Sequence, residues 1–493
     1  MGSNGNITAK KTLGSAVVWK FMERMGVSVV QLALQLFLAR ILGPERYGEL
    51  SLMVIFTNLA NVFIQRGFNN ALIQNKDVKE NDYSSVFWVT MGIATIIYTI
   101  LFFAAPGIAV LYKIPELSDF VLPFRVICLI LFPGTLNSIQ IAKISREMDF
   151  RKIFFGNVAG IIISGVVGII IAVNGGGLWA LVAQTLINTT VACIVMYVQT
   201  RIKIKMHIDW VRIKSLFSFG WKLLVSGLVD TIYQDIRSLV VGVKYNKATL
   251  GFYNKGKQFP QFVINAVNLT VQSVMLPAMS EKQDDKSKVK ALMKNSMIIS
   301  AYTIFPAMAG LAAISTAVIS IILGEKWLPA VPYMQIYCFT FAFYPVHSCN
   351  LQAINAMGRS DLFLKLEIIK KIYGLIALTI AVLCFDSPII IAFTGVITTV
   401  ISCFVNAGPN RKLLDYSYKE QFMDILPSFI SSIVMFGAVY ALQYLKLNAV
   451  LTLILQIIFG VVVYAGISII FKPEPYKLCV TAIKNRKKKK ASI

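Results

Sequence analysis

Apolar blocks about twenty residues long recur from one end of this chain to the other. A helix of that length crosses the ~30 Å hydrocarbon core of a bilayer. Inside lipid every backbone N–H and C=O must find a partner within the protein, so such blocks fold as helices. The composition agrees: 56% of the 493 residues are hydrophobic, and the mean hydropathy is +0.68. The expected fold class is an all-α polytopic membrane protein. Fourteen spans are predicted, at approximately 14–39, 48–67, 83–111, 120–142, 153–173, 178–199, 215–242, 251–279, 289–322, 330–357, 362–384, 388–408, 425–445 and 449–471. Short turns such as "LGPERYG", "NGGG", "FDSP" and "LGEKWLP" separate them. No loop is long enough to fold alone. The opening "MGSNGNITAKKTLGS" lacks the pattern of a cleavable signal.

The charges orient the spans. With the N-terminus inside, about 32 of the 48 Lys and Arg fall in inner segments and about 7 in outer loops. Inner segments include "RIKIKMHIDWVRIK", "RKLLDYSYKE" and the tail "KNRKKKK". Both termini are therefore expected in the cytoplasm. The same bias accounts for much of the +24 net charge, which removes the case for nucleic-acid binding. The seven cysteines are scattered as small apolar fillers, and the two histidines, His207 and His347, stand far apart. A histidine-based catalytic or metal cluster is excluded, and no cofactor is expected.

What remains inside the spans is unusual. A charge at a helix centre costs roughly 2.5–3.5 kcal/mol on insertion scales. Yet the first span carries Lys20, Glu23 and Arg24, and the seventh carries Asp230, Asp235 and Arg237. At about 100° per residue, Lys20, Arg24, Ser28, Gln31 and Gln35 share one face, as do Ser226, Asp230, Tyr233, Gln234 and Arg237. Asp235 lies about 140° from Asp230 and faces elsewhere. The second span adds Asn58, Asn61, Gln65 and Asn69. The eighth adds Asn254, Gln258, Gln261, Asn265, Asn268 and Gln272. One such stripe would read as hydrogen-bonded glue between helices. Four stripes reaching mid-membrane favour a shared hydrated cavity, where charges keep their water. Arg125, Glu367, Lys370 and Lys371 read as structural; Glu367 and Lys371 are spaced as an i,i+4 pair.

An internal repeat joins the striped spans. "NLANVFIQ" (58–65) and "NAVNLTVQ" (265–272) share N-x-x-N-x-x-x-Q. "LGPERYGELS" (42–51) matches "YNKATLGFYN" (245–254) at its glycine, ~203 residues away. A displacement of six spans leaves both copies pointing the same way, which implies a pseudo-twofold axis along the membrane normal and a site between the halves. Three other motifs carry less. "GFYNKGKQ" lacks the Ser or Thr and the preceding strand of a P-loop. The sequons at Asn6, Asn188 and Asn268 are chance matches. "GNVAG" (156–160) is a small-residue packing motif.

At "RILGPERYGELSLMVIFTNLANVFIQRGFNNALIQNKDVKENDYSSVFW" (40–88) the chain resembles the Wzx-like, polysaccharide-type flippases of the multidrug/oligosaccharidyl-lipid/polysaccharide exporter superfamily. "LGFYNKGKQFPQF", "VMLPAMS" and "LGEKWLPAVPYMQIY" extend the resemblance over nearly the whole chain. It implies two six-helix lobes around a central cavity, with two further helices at the C-terminus. In these terms the N-lobe is 1–200, the C-lobe 201–424, the extra helices 425–472 and a basic cytoplasmic tail 473–493. It implies alternating-access transport of an undecaprenyl-diphosphate-linked saccharide across the bacterial cytoplasmic (inner) membrane, for lipopolysaccharide or exopolysaccharide synthesis. In the related peptidoglycan-precursor flippases, cations on the first helix of each lobe bind the diphosphate. By helix and face the matching residues here are Arg24, with Lys20, and Arg237.

The expected substrate cavity thus comprises Lys20, Arg24, Gln31, Asn58, Asn61, Gln65, Asp230, Gln234, Arg237, Gln261, Asn265 and Asn268. Asp230 and Glu23 are the candidates for a coupling proton or Na⁺. Expected partners are the lipid-linked saccharide, the phospholipid membrane, and a polysaccharide polymerase and glycosyltransferases of the same pathway. The rival readings are a small-molecule antiporter of the same superfamily, a membrane polymerase or ligase, and a scaffold. The short outer loops leave an enzyme no place for its acid–base groups.

Overall fold

The computed structural model describes residues 19–481 apart from 21, 76, 115, 116, 446 and 479; the side chains of 219 and 266–274 are not among those described. The end of the basic tail, 482–493, and the start of the first predicted span lie outside the described residues. Those described form helices joined by short turns, with no strand. Two compact units emerge, Met1–Gly251 and Phe252–Ile493.

The first unit opens with a π-helical turn, Met22–Gly26, that runs into α1, Val27–Gln65. The sequence expects two spans here, and α1 is two helical segments that meet end to end at a break at Gly43, whose φ of 80° favours glycine. Pro44 follows, without an N–H to carry the helical ladder across. After α1 come α2 (Phe68–Gln74), α3 (Glu80–Leu111), α4 (Leu117–Cys128), α5 (Leu131–Glu147), α6 (Phe150–Val173), α7 (Leu178–Thr200) and α8 (Trp210–Lys244). The fourth predicted span is therefore two helices. Pro133 cannot donate to Leu129, and the chain restarts there. The "GNVAG" glycines work as read: a Cβ on Gly160 would lie 2.6 Å from the Asn188 carbonyl oxygen, so α6 and α7 touch backbone to backbone. The segment before α8 is pinned to α3. Ser84 and Ser85 bond its backbone, Trp88 donates to the Lys205 carbonyl, and Arg212 pairs with buried Asp82 at 3.1 Å. Asp209 then caps α8 by accepting from the Arg212 N–H.

α9 (Lys247–Ser280) begins at the end of the first unit and continues in the second. There follow α10 (Lys286–Ala313), α11 (Ser315–Ile322), α12 (Val331–Ala342), α13 (Tyr344–Ala356), α14 (Ser360–Cys384), α15 (Pro388–Leu413), α16 (Tyr418–Ala441) and α17 (Ala449–Phe471). The tenth predicted span also splits, at Phe343, where Pro345 withholds its N–H. Side chains of Asp285, Ser417 and Asn448 cap α10, α16 and α17. In the turn before α14, the Arg359 guanidinium forks onto Asp361 and holds that carboxyl down at about 2. Glu367 accepts from Lys370, at i,i+3, where the sequence suggested Lys371.

Among the described residues, nine stretches are long and apolar enough to cross a membrane. The long helices that fall short are α8, α9 and α14. α8 and α9 carry amides and charges along much of their length, and α14 carries Lys365, Glu367, Lys370 and Lys371 in its first half. Large apolar side chains such as Phe103, Val198, Ile433, Val461 and Ile470 stand exposed, the outer surface expected of a protein solvated by lipid.

Candidate functional site

The striped helices expose their polar residues in a pattern that lipid contact does not explain. On the second half of α1, positions 48–66, the only exposed residues are Asn58, Gln65 and Arg66. On α9, between 247 and 265, they are Gln261 and Asn265. Over these two stretches each helix is thus covered except along its polar stripe. An amide facing lipid would lose its hydrogen bonds, at a cost of several kcal/mol. Such faces suit water or a polar ligand better than lipid. Asn268 belongs to the same stripe, but its side chain is outside those described.

The first half of α1 has two open faces. Val29, Val30 and Phe37 are exposed on one. Arg24 and Ser28 are exposed on the opposite one, with Gln31 and Gln35 half-buried beside them. The π-turn keeps Arg24 directly before Ser28, whose hydroxyl donates to the Arg24 carbonyl. Lys20 is paired with Glu23 at 3.0 Å and sits over the Phe150 ring at 4.6 Å. α8 repeats the arrangement. Trp221, Val225, Val229 and Ile232 are exposed on one side; Ser226 and Gln234 are exposed on the other, with Asp230 and Arg237 half-buried. The Arg237 guanidinium lies 5.5 Å from the centre of the Tyr233 ring.

Within the first unit, α8 packs antiparallel against the second half of α1. Glycines mark the seam. A Cβ on Gly220 would meet the Gly67 backbone at 2.5 Å, one on Gly227 would meet Arg66 at 3.0 Å, and one on Gly242 would meet Leu52 at 2.6 Å. So α8 brings Asp230, Gln234 and Arg237 alongside the helix that bears Asn58 and Gln65. Asn61 is turned away: its Oδ1 lies 3.5 Å from where a Cβ on Gly134 would stand, against α5.

Two features escape a reading of the sequence alone. Arg66 extends the Asn58–Gln65 stripe with an exposed cation. Glu49 is buried at 3% exposure between Lys247 at 2.7 Å and Arg46 at 3.0 Å. This cluster ties together the repeat segments. A Cβ on Gly48 would lie 1.7 Å from the Lys247 carbonyl oxygen, and one on Gly251 2.2 Å from that of Pro44. The contact is reciprocal, because Lys247 stands in the second copy where Pro44 stands in the first. Among the described residues no group of three or more His, Cys, Asp or Glu side chains could hold a metal ion.

The open amide faces predict a labelling pattern. In a cysteine-free background, single cysteines at 58, 65, 261 and 265 should react with a membrane-impermeant maleimide under conditions that label that face. Cysteines at 29, 37 and 229 should not. Equal labelling of both sets would remove the hydrated face.

Residues 37–332 match the profile of a family described as "Polysaccharide biosynthesis protein". The chain is 23% identical over 464 residues to the teichuronic acid biosynthesis protein TuaB of Bacillus subtilis (strain 168), covering 92% of this chain and 94% of that protein. It is 21% identical over 417 residues to the lipopolysaccharide biosynthesis protein WzxC of Escherichia coli (strain K12), covering 83% and 82%. Its fold is similar to the lipid II flippase MurJ in an inward closed conformation, with a TM-score of 0.71 at 17% identity over 90% of this chain and 98% of that one. It is also similar to a multidrug resistance MATE family transporter of the MOP superfamily in an inward-facing conformation, with a TM-score of 0.57 at 14% identity over 86% and 98%.

Proposed function

The chain belongs to the polysaccharide biosynthesis protein family, and from that membership we propose that it is a flippase, carrying a prenyl-diphosphate-linked saccharide across the bacterial cell membrane for surface polysaccharide synthesis. It is a multi-pass membrane transporter and not an enzyme. Relatives named for lipopolysaccharide and teichuronic acid biosynthesis support the pathway. The observation that carries the mechanism is that the second half of α1 (48–66) and α9 up to residue 265 are covered except along a polar stripe of amides, with Arg66 at its end. Sugar hydroxyls need many donors and acceptors in a wet cavity, and Asn58, Gln65, Gln261 and Asn265 supply them.

The headgroup contacts fall to cations. Arg24 and Arg237, with Arg66 added, attract the diphosphate by charge-assisted, bidentate hydrogen bonds. Lys20 is a weaker candidate, since Glu23 already neutralises it. Asp230 is the partner of this cationic set or carries a coupling ion. The prenyl tail stays in lipid and needs no polar site.

The architecture in this reading has fourteen spans. α1 counts twice because of its break at Gly43; α4–α5, α10–α11 and α12–α13 each count once; α8, α9 and α14 cross despite their polar residues. The lobes are 1–200 and 201–424, followed by two helices over 425–472 and a tail over 473–493. Both termini lie in the cytoplasm, on the strength of the Lys and Arg bias. The Gly48–Lys247 crossing then lies at the outer end. A polymerase and glycosyltransferases are the partners that such a step needs before and after it.

Deleting the gene in its host tests the function. Surface polysaccharide should disappear and its lipid-linked repeat unit accumulate, with drug susceptibility unchanged. Intact polysaccharide with new drug sensitivity would favour a small-molecule antiporter.

A further inference from the structure

The basic stretch between α7 and α8, with the first turn of α8, presents a surface unlike its neighbours. Arg201 ends α7 in the left-handed region, at φ 48°, and the chain runs on without helix to Asp209. Its first side chains alternate as in an extended chain. Ile202 and Ile204 turn inward, onto the cluster that holds Phe68, Leu72, Ile139 and Leu216. Arg201, Lys203 and Lys205 turn outward and are exposed. Then the alternation stops, and from Lys205 to Val211 every residue is exposed. Among them are Met206 at 91%, Trp210 at 68% and Val211 at 83%.

The depth of this segment follows from the helices that hold it. Ser84 and Ser85 of α3 bond its backbone at Lys205, His207 and Asp209. α3 is itself long and apolar enough to cross a membrane. At 1.5 Å per residue the two serines lie about 16 Å from its midpoint, against ~15 Å for half of the hydrocarbon core. α7 agrees: Tyr197 and Val198 are its last exposed apolar residues, about one turn before Arg201. The segment therefore runs at the level of the lipid headgroups, and Trp210 stands where tryptophan is favoured.

The charges suit that level. Asp209 is occupied in capping α8, and Arg212 is occupied by Asp82. Arg201, Lys203, Lys205 and Lys214 are exposed, and among the described residues none of the four is ion-paired with an acid. Cations alone would need no more than the orientation of the chain to explain them. The bare methionine, tryptophan and valine between them need something else, because a loop in water gains nothing by exposing them. Apolar tips among cations, at headgroup depth, match a surface with phosphate outside and acyl chains beneath.

We propose that residues 201–214 bind anionic phospholipid of the cytoplasmic leaflet. Arg201, Lys203, Lys205 and Lys214 hold the phosphates, and Met206, Trp210 and Val211 dip among the glycerol groups and upper acyl chains. The choice of leaflet rests on the Lys and Arg bias. The lipid site goes beyond the flippase reading and does not depend on it.

The full-length protein in lipid nanodiscs tests both parts. In a cysteine-free background, single cysteines at 206, 211 and 283 would carry an environment-sensitive fluorophore. Gln283, exposed in the turn between α9 and α10, is the water-facing reference. Phosphatidylglycerol or phosphatidylcholine with a nitroxide on the upper acyl chain would serve as quencher. Both lipids should quench 206 and 211 clearly more than 283. One surface cation is worth about a fivefold preference for anionic lipid, so half-maximal quenching should need at least about fivefold less phosphatidylglycerol than phosphatidylcholine. The triple variant Lys203→Glu, Lys205→Glu, Lys214→Glu should cut that preference below about twofold. Raising salt from about 0.1 M to about 1 M should shrink it in the unaltered segment too, because the screening length falls from about 10 Å to about 3 Å. The salt arm decides the matter even where the triple variant does not fold. Quenching at 206 and 211 no greater than at 283 overturns the site and leaves the patch to a soluble partner. Equal quenching by the two lipids, or a preference that salt or the folded triple variant leaves in place, overturns its anionic character.

Discussion

Gly48→Ala is expected to leave little folded protein. The added methyl would sit 1.7 Å from the Lys247 carbonyl oxygen, half of a normal contact, and the obstacle is backbone that cannot rotate aside. Overpacking in a tight core costs about 1–3 kcal/mol, occasionally more, and this contact belongs at the top of that range. The damage would spread, because the crossing also holds Glu49 between Lys247 and Arg46. Removing a buried carboxylate from its partners costs about 3–5 kcal/mol against a total stability of about 5–15. Gly251→Ala should behave alike, since its methyl meets the Pro44 carbonyl. Gly92→Ala and Gly437→Ala are the controls; both have open space around the new methyl and sit in helices that alanine favours. Size-exclusion profiles and thermal unfolding in detergent would separate the two pairs. A monodisperse Gly48→Ala protein with wild-type unfolding temperature would contradict the packing described here.

Removing Arg24 or Arg237 is expected to cut transport with no comparable loss of fold. Arg24 is exposed and Arg237 half-buried on polar faces, outside the apolar core. A hydrogen bond to a charged group contributes about 1.5–3 kcal/mol. One lost cation should therefore slow transport roughly ten- to a hundredfold. Arg237→Lys should recover only part of this, because an ammonium lacks the planar fork that grips two phosphate oxygens. Arg237 also stacks on Tyr233, so Tyr233→Ala should show a smaller loss in the same direction.

The helices were legible because lipid demands them, and the stripes because amides and charges at helical spacing stand out against apolar sequence. The breaks were harder. Pro133 and Pro345 each split a predicted span, although the apolar pattern runs through them without change. The Gly43–Pro44 turn reads as the end of a helix, and the helical backbone does break there, at a non-helical Gly43. Pairings across the chain were not legible at all. Glu49 and Lys247 are 198 residues apart, and a single sequence offers no measure of their distance. Arg46, Arg66 and Lys247 had been absorbed into the topology count, where a cation near a span end needs no further explanation. The repeat match at Gly48 and Gly251 was the one signal that pointed to their meeting. Asn61 shows the opposite limit: it fits the stripe by spacing, yet it turns against Gly134.

The most direct test is transport by the purified protein. Wild type, Arg24→Ala and Arg237→Ala would be reconstituted in liposomes at matched levels with a fluorescent prenyl-diphosphate saccharide. Transfer between leaflets would be read by quenching from outside. The account predicts transfer well above protein-free liposomes for wild type, and roughly ten- to a hundredfold slower transfer for each variant. Wild-type rates in both variants, or no transfer by wild type, would contradict it.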